Sequence, residues 1–233
     1  MAGGIMAVIQ FLGSLTYGVM VAARKAGLLA ICAIFLAGQV AAEKVHLIAF
    51  GDSLTAGWGL LDHEGYVPVL RGWMESQGED VRIVQGGVSG ETTSGGLARL
   101  EWALSEELQG IIIGLGGNDI LRGVDPGVAR DNLRKMLEIC REKKLEVLLV
   151  GMPVAANYGA AYKAEFEAIW PDLAKEFGVA YYANFLAPIQ NSAADPLSFM
   201  QEDGIHPNAE GVQRIVLGIG PDVQAMVARI RAK

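Results

Sequence analysis

Histidine and cysteine are scarce in this chain, which has three histidines and two cysteines among 233 residues. The two cysteines are Cys32, in the N-terminal segment, and Cys140. So few cysteines exclude a disulfide framework. One histidine with one nearby carboxylate is too small a set of ligands for a metal site, and we expect neither a metal nor another cofactor.

Acidic residues are absent from residues 1–42, and all 26 of them follow from Glu43 onward. Within this segment a pair of basic residues comes first. The apolar run "AGLLAICAIFLAG" follows the pair, and the small residues of "QVAAE" follow the run. This order is typical of a secretory signal peptide. We expect cleavage after Ala42 and a periplasmic or secreted mature chain of residues 43–233. An uncleaved anchor helix is the alternative, although the apolar core is short for a membrane span.

Basic side chains are outnumbered in the expected mature chain, where 17 lysines and arginines stand against 26 acidic residues. This balance argues against nucleic acid and anionic membrane surfaces as partners. No internal repeat, low-complexity run or linker-like change in composition occurs after residue 43. We therefore expect one domain, a monomer without stable membrane insertion that acts on a small molecule.

Short apolar runs alternate with segments of helical periodicity along the mature chain. The runs typical of buried strands are 45–50, 81–85, 111–115, 146–152 and 179–183. Helices are predicted at 66–78, at 97–108, from Pro126 after an Asp125 cap, at 162–178 and on either side of Pro221. This alternation indicates a parallel sheet with helices on both faces, a three-layer α/β/α fold. In such a fold, ligands bind at the carboxyl ends of the strands.

A serine follows the first predicted strand directly, in "AFGDSLTAG" (49–57). Ser53 is either a helix cap or a nucleophile, because serine and aspartate both cap helices well. The Gly-x-Ser-x-Gly elbow of α/β-hydrolases is absent, since Thr55 takes the place of its second glycine. The turn alone leaves both interpretations open.

The three histidines differ in their surroundings. His206 lies in "DGIHPN", three residues after Asp203, where the carboxylate could orient the imidazole as a general base. The alternative is an Asx turn before a helix. His46 lies inside the first predicted strand, and His63 lies in the polar loop "LLDHEG". His206 is therefore the candidate base.

Two further motifs also follow predicted strands. Backbone N–H groups near Gly90 in "SGET", together with the Asn118 amide in "GGND", are the kind of donors that an oxyanion needs. The alternatives are a capping box that starts at Ser89 and a plain strand-to-helix turn. Cys140 lies on the apolar face of its helix and is interpreted as core. The ordered set of motifs at one sheet edge favours an active site.

Four motifs resemble those of the SGNH (GDSL) hydrolases, and the match extends from about residue 45 to 208. They are Gly51-Asp52-Ser53-Leu54, Gly90 in "VSGETT", Gly116-Gly117-Asn118-Asp119 and Asp203-Gly204-Ile205-His206-Pro207. The segments "GLARL", "GGNDILRG" and "ANYG" are similar to the bacterial periplasmic acyl-CoA thioesterase/arylesterase subgroup. The loop "VGMPVAANYG" (150–159), which borders the acyl pocket in the family, departs from the subgroup in having smaller side chains before "ANYG".

The resemblance implies a flavodoxin-like α/β/α fold with a five-stranded parallel sheet. It implies Ser53 as nucleophile, His206 as base and Asp203 as the residue that orients the base. The oxyanion hole would comprise the N–H groups of Ser53 and Gly90 with the amide of Asn118. The expected activity is hydrolysis of carboxylic esters or acyl thioesters through an acyl-enzyme. The alternatives are a carbohydrate O-acetylesterase and a catalytically dead lipid- or glycan-binding module.

Overall fold

A five-stranded parallel sheet forms the centre of the computed structural model, which describes residues 44–233. The strands are β1 (Val45–Gly51), β2 (Val81–Gly87), β3 (Gly110–Gly114), β4 (Glu146–Val150) and β5 (Ala180–Tyr182). Their order across the sheet is β2-β1-β3-β4-β5. The predicted strands and the parallel sheet are confirmed, and the predicted signal peptide and its cleavage site lie outside the described residues.

The strand sequences explain why the sheet is covered on both sides. All residues of β3 are buried, as are four of the five residues of β4, so these strands present apolar side chains to both faces. Parallel strands of this kind need helices on each face to exclude water. One layer is formed by α2 (Tyr66–Ser76) and α9 (Ala209–Arg231), which pack on each other.

The opposite layer consists of helices that follow β2, β3 and β4. They are α3 (Thr93–Ala103), α5 (Pro126–Glu142), α6 (Ala160–Glu167) and α7 (Ile169–Phe177). In α5 the Asp125 side chain accepts from the N–H of Gly127 at 2.8 Å, which confirms the predicted cap. Short helices α1 (Ser53–Ala56), α4 (Gly117–Leu121) and α8 (Ala187–Gln190) lie in the connections. No helix among residues 44–233 has the length and apolar character needed to cross a bilayer.

Helix α3 lies nearer the start of the chain than the predicted range of 97–108. It begins at Thr93 because the Thr92 hydroxyl accepts from the N–H of Gly95 and caps the first turn. The interpretation of Ser89 as the start of a capping box is therefore wrong. The helix ends at Ala103, after which Leu104 is extended. Residues 105–108 form a turn that leads into β3.

Two prolines have opposite effects on the helices around them. The predicted helix at 162–178 is divided into α6 and α7, because Pro171 cannot donate a hydrogen bond to the carbonyl of Glu167, where α6 ends. By contrast, α9 runs through Pro221 as one helix instead of two segments. The carbonyl that loses its donor there belongs to Leu217, which lies on the exposed side of the helix, so water can replace the lost bond.

Candidate active site

The first candidate residue lies on a tight turn at the end of β1. Asp52 caps α1, and its Oδ1 accepts from the N–H of Leu54 at 3.0 Å. Ser53 is the first residue of that helix, so the interpretation of Ser53 as the cap is wrong. The Ser53 hydroxyl is therefore not needed to complete the helix and is available to another segment.

The second part of the site is a compact turn of residues 200–207, here called the base turn. A backbone bridge joins its first and last residues in antiparallel fashion. Within the turn, Asp203 Oδ1 accepts from the N–H groups of Ile205 at 2.9 Å and of His206 at 3.0 Å. The Asx-turn alternative is thus present in the structure, but it uses only one of the two carboxylate oxygens.

The other carboxylate oxygen of Asp203 contacts the imidazole. Asp203 Oδ2 lies 2.6 Å from His206 Nδ1, and His206 Nε2 lies 2.8 Å from Ser53 Oγ. The hydrogen bond from the His206 ring, followed by the N–H bonds of His206 and Ile205, lowers the pKa of the Asp203 carboxyl to about 2. An ionised carboxylate, an imidazole and a hydroxyl in this order form the hydrogen-bond relay of a serine hydrolase.

The candidate oxyanion donors lie around the same hydroxyl. Ser53, Gly90 and Asn118 all line one pocket. No hydrogen bond joins the backbone N–H of Ser53 or of Gly90 to another described residue, so both remain available. Gly90 has a φ of +80°, a left-handed conformation that a residue with a Cβ adopts at a cost. The Asn118 amide donates one N–H to Asp52 Oδ2 at 3.2 Å, which leaves its second N–H free.

Asp52 is a buried carboxyl beside the nucleophile, with only 2% of its surface exposed. Desolvation raises its pKa to about 6, although the bonds from the Leu54 N–H and the Asn118 amide favour the charged form. The charged groups that act on it are His206, which lowers the pKa, and Asp119, which raises it. At neutral pH the carboxyl is therefore ionised, and its burial in the charged form lowers the free energy of unfolding.

We expect this effect to appear as a pH dependence of folding stability. The folded-state pKa of Asp52 is about 6 and the ordinary value is 3.8, so protonation stabilises the fold fully below pH 4. The stabilisation is lost as pH rises through 6, and up to about 3 kcal/mol of unfolding free energy disappears over that window. Urea unfolding of the wild type and of Asp52→Asn at pH 4 to 7.5 measures the difference.

The Asp52→Asn variant is the matched control because it keeps the shape of the side chain and removes its titration. Carboxyls with a lowered pKa, such as Asp203, act in the opposite direction, because the stabilisation that they provide is lost as pH falls below 4. These carboxyls are present in both proteins, so their effect cancels in the comparison. The wild type should lose stability relative to Asp52→Asn between pH 4 and 6. Parallel curves for the two proteins over this range would contradict a buried, titrating Asp52.

A buried hydrogen-bond network stabilises the turn that carries Asn118. This network was not predicted from the sequence. Asp119 is fully buried and accepts from the N–H of Thr93 at 2.8 Å and from the Thr93 hydroxyl at 2.6 Å. The amide of Asn132 in α5 also donates to that hydroxyl, at 3.1 Å. These bonds join the turns that carry Gly90 and Asn118, so the two candidate oxyanion donors are fixed relative to each other.

Arg99 holds the loop that follows β2 against the end of the sheet. No role was predicted from the sequence for this residue. Its guanidinium pairs with Glu91 and donates to the carbonyls of Gly86 at 2.8 Å and Gly51 at 3.2 Å. The guanidinium carbon lies 3.9 Å above the ring centroid of Phe50. Since its partners come from three segments, no single stretch of sequence reveals the role.

The pocket above Ser53 has a volume of about 490 Å³ and mainly apolar walls. The apolar and aromatic wall residues include Trp58, Leu121, Met152, Tyr158, Leu186 and Ile205. No lysine or arginine is among the described residues that line it. Part of the loop 150–159 forms one wall, as the resemblance implied. The pocket size lies within the range typical of small-molecule sites.

The other two histidines and Cys140 lie outside this pocket. His46, at the opposite end of β1, has its Nδ1 3.4 Å from Glu107 Oε2, and His63 is exposed in a 3₁₀ turn. Cys140 is buried in the core, and burial raises the pKa of its thiol to about 12. Across residues 44–233, no cluster of three or more His, Cys, Asp or Glu side chains could hold a metal ion.

Comparisons with known proteins identify the family of this chain. The model of the GDSL-like lipase/acylhydrolase family matches residues 49–214. Esterase TesA of Pseudomonas aeruginosa is 34% identical over 195 residues, which cover 83% of this chain and 94% of that protein. "Thioesterase 1/protease 1/lysophospholipase L1" of Escherichia coli K12 is 34% identical over 182 residues, or 78% of this chain and 84% of that protein. The crystal structure of AlinE4, an SGNH-hydrolase family esterase, superposes with a TM-score of 0.65 at 38% identity, covering 78% of this chain and 96% of that one.

Proposed function

Since the chain belongs to the GDSL-like lipase/acylhydrolase family and is a serine carboxylic ester hydrolase, we propose that Ser53, His206 and Asp203 carry its reaction. The observation that carries this proposal is the distance of 2.8 Å between Ser53 Oγ and His206 Nε2. The second contact, 2.6 Å between His206 Nδ1 and Asp203 Oδ2, completes the relay. The substrates proposed are carboxylic esters and acyl thioesters.

The reaction proceeds in two half-reactions. Ser53 Oγ attacks the acyl carbon while His206 Nε2 takes the hydroxyl proton, and the same proton then passes to the departing alcohol or thiol. Asp203 holds the imidazole tautomer and stabilises its charged form. The N–H groups of Ser53 and Gly90 and the Asn118 amide stabilise the oxygen of the tetrahedral intermediate. Water, activated by His206, then releases the acyl group as a carboxylic acid.

The apolar pocket supports an acyl chain longer than acetyl as the substrate group. Each methylene that enters an apolar site contributes about 0.8 kcal/mol, which is about a fourfold change in kcat/KM. We expect kcat/KM for p-nitrophenyl esters to rise by about this factor per methylene from acetyl upward, until the pocket is full. A series from two to sixteen carbons, measured with residues 43–233, tests the expectation.

The same series separates the alternatives. Highest activity on acetyl esters, falling with every added carbon, would favour the carbohydrate O-acetylesterase, which has no use for an apolar pocket of this size. Absence of turnover on every ester and thioester tried would favour the binding module. Thioesters of the same acyl groups, assayed alongside with thiol detection, decide between the two bond types.

We also propose that residues 1–42 direct export and are removed after Ala42, which places the mature enzyme in the periplasm or outside the cell. The basic pair, the apolar core and the small residues before Glu43 support this. Expression of the full chain in a bacterial host, followed by intact-mass measurement, should give a product that starts at Glu43. A full-length protein in the membrane fraction would favour the anchor. Light scattering of the same product checks the proposed monomer.

A further inference from the structure

The nucleophile and the base come from segments 153 residues apart, yet their reacting atoms lie 2.8 Å from each other. Asp203 sets the orientation of the imidazole within the base turn, but no bond inside that turn determines its distance from Ser53. The packing between the base turn and the turn that carries Ser53 must therefore set the distance. Gln201 occupies this junction.

Gln201 donates three hydrogen bonds to the residues around the base and the nucleophile. Its backbone N–H donates to the carbonyl of His206 at 2.8 Å, which closes the base turn. Its side-chain Nε2 donates to the carbonyl of Pro207 at 3.0 Å and to the carbonyl of Trp58 at 2.7 Å. The backbone bond suffices to close the turn, so the side chain provides an additional link to a different segment.

Trp58 is coupled directly to the nucleophile. Its N–H donates to the carbonyl of Ser53 at 3.1 Å, directly after α1. The chain of bonds therefore runs from Ser53 through Trp58 and the Gln201 amide to Pro207, the neighbour of His206. Each member of this chain is a backbone group except the one amide, and that amide is the part that a substitution can remove.

The backbone beside Trp58 is shaped to admit this amide. Gly59 has a φ of +76°, and a Cβ at this position would lie 2.2 Å from Gln201 Oε1. A side chain at residue 59 would therefore displace the end of the glutamine side chain from its present position. This is a second observation, independent of the hydrogen bonds, that the nucleophile segment and Gln201 fit each other.

We propose that Gln201 is a positioning residue that sets the distance between His206 and Ser53. The inference rests on the proposed function, because it requires His206 to act as the base. Gln201 does not line the pocket, so it acts on the reaction through His206 and not through the acyl group. Loss of the amide should leave substrate binding intact and reduce the fraction of molecules with a productive relay.

The Gln201→Met variant removes the donor while retaining the length of the side chain. We expect kcat for a p-nitrophenyl ester to fall roughly 10- to 100-fold, because a displacement of about 1 Å has such an effect, with KM nearly unchanged. Gln224→Met is the matched control: Gln224 lies in α9, and its Nε2 donates to Glu79 Oε1 at 3.1 Å, away from the pocket. That variant should keep the wild-type kcat.

A second measurement distinguishes positioning from general damage to the fold. In a His206→Ala background the residual turnover no longer uses the imidazole, so Gln201→Met should lower it no further. A loss of residual turnover in the double variant equal to that in the single variant would overturn the proposal. Loss of activity in His206→Ala combined with wild-type activity in Gln201→Met would overturn it too, while leaving the proposed function intact. Wild-type activity in His206→Ala itself would remove the proposed function.

Gly59→Ala perturbs the same junction without changing Gln201. This variant provides the test if Gln201→Met does not fold. The added Cβ should displace the amide and lower kcat by a similar factor. In a Gln201→Ala background the collision is absent, so Gly59→Ala should have little further effect on kcat. Full loss from Gly59→Ala in that background would mean that strain at residue 59, rather than the amide, is responsible, and would overturn the proposal.

Discussion

Ser53→Ala is expected to lower kcat by about 10⁵- to 10⁶-fold, the size of effect seen when the nucleophile of a relay is removed. Without Oγ no acyl-enzyme forms, and only the oxyanion donors and substrate binding remain. These leave a residual rate roughly 10³-fold above the reaction in water. KM should change little, because the pocket walls are untouched. Measurement needs high enzyme concentration and subtraction of spontaneous hydrolysis.

The matched control for this variant is Ser76→Ala, a change of the same kind at an exposed serine whose hydroxyl donates to the carbonyl of Trp73 in α2. It should retain the wild-type rate. A phosphonate ester should add its mass to the peptide that contains Ser53 in the wild type and to no peptide of Ser53→Ala. Retention of more than a tenth of wild-type turnover by Ser53→Ala would rule out this nucleophile.

His206→Ala is expected to reduce kcat nearly as much as Ser53→Ala, because the base and the nucleophile act as one unit and their losses do not add. Asp203→Ala should reduce it about 10- to 100-fold less, since a misoriented imidazole still accepts the proton in a fraction of encounters. In the wild type, kcat/KM should rise with pH, because a protonated imidazole cannot accept the proton of the Ser53 hydroxyl.

The other two histidines provide controls for the pH profile. His46 lies at the far end of β1 beside Glu107, and His63 is exposed in its turn, so His46→Ala and His63→Ala should keep the acidic limb. Rate profiles of the three single variants from pH 5 to 9 make the comparison. If His206→Ala keeps the wild-type rate together with the limb, the base turn is only an Asx turn and the proposed mechanism fails.

The edge of the sheet where the site lies could be predicted because parallel strands bring their carboxyl ends together. Ser53, Gly90 and Asn118 each follow a strand closely in sequence, and this alone places them near one another. The pairing of Asp203 with His206 was predictable for a different reason, since a spacing of three residues allows contact within one turn. Strand order thus grouped the first three residues and local spacing paired the last two, whereas only the resemblance to a known family implied that His206 meets Ser53.

Other features depend on tertiary contacts that no short stretch of sequence contains. Pro171 and Pro221 both lie in segments of helical periodicity, yet the helix is interrupted only before Pro171. Arg99 and Gln201 bind backbone carbonyls, and a carbonyl has no residue-specific signal in the sequence. Ser53 was one candidate for the helix cap at this turn, whereas its neighbour Asp52 fills that role with one carboxylate oxygen and accepts from Asn118 with the other.

The compactness of the base turn has a consequence for how enzymes of this design can diversify. Acid and base lie three residues apart on a turn closed by its own backbone, whereas the segment 183–199 just before it supplies Leu186 to the pocket wall. Insertions or deletions in that segment would remodel the wall while leaving the acid–base pair unchanged. Changes in the length of this segment, natural or designed, could therefore alter the acyl preference. Such changes must preserve the junction between the base turn and Ser53.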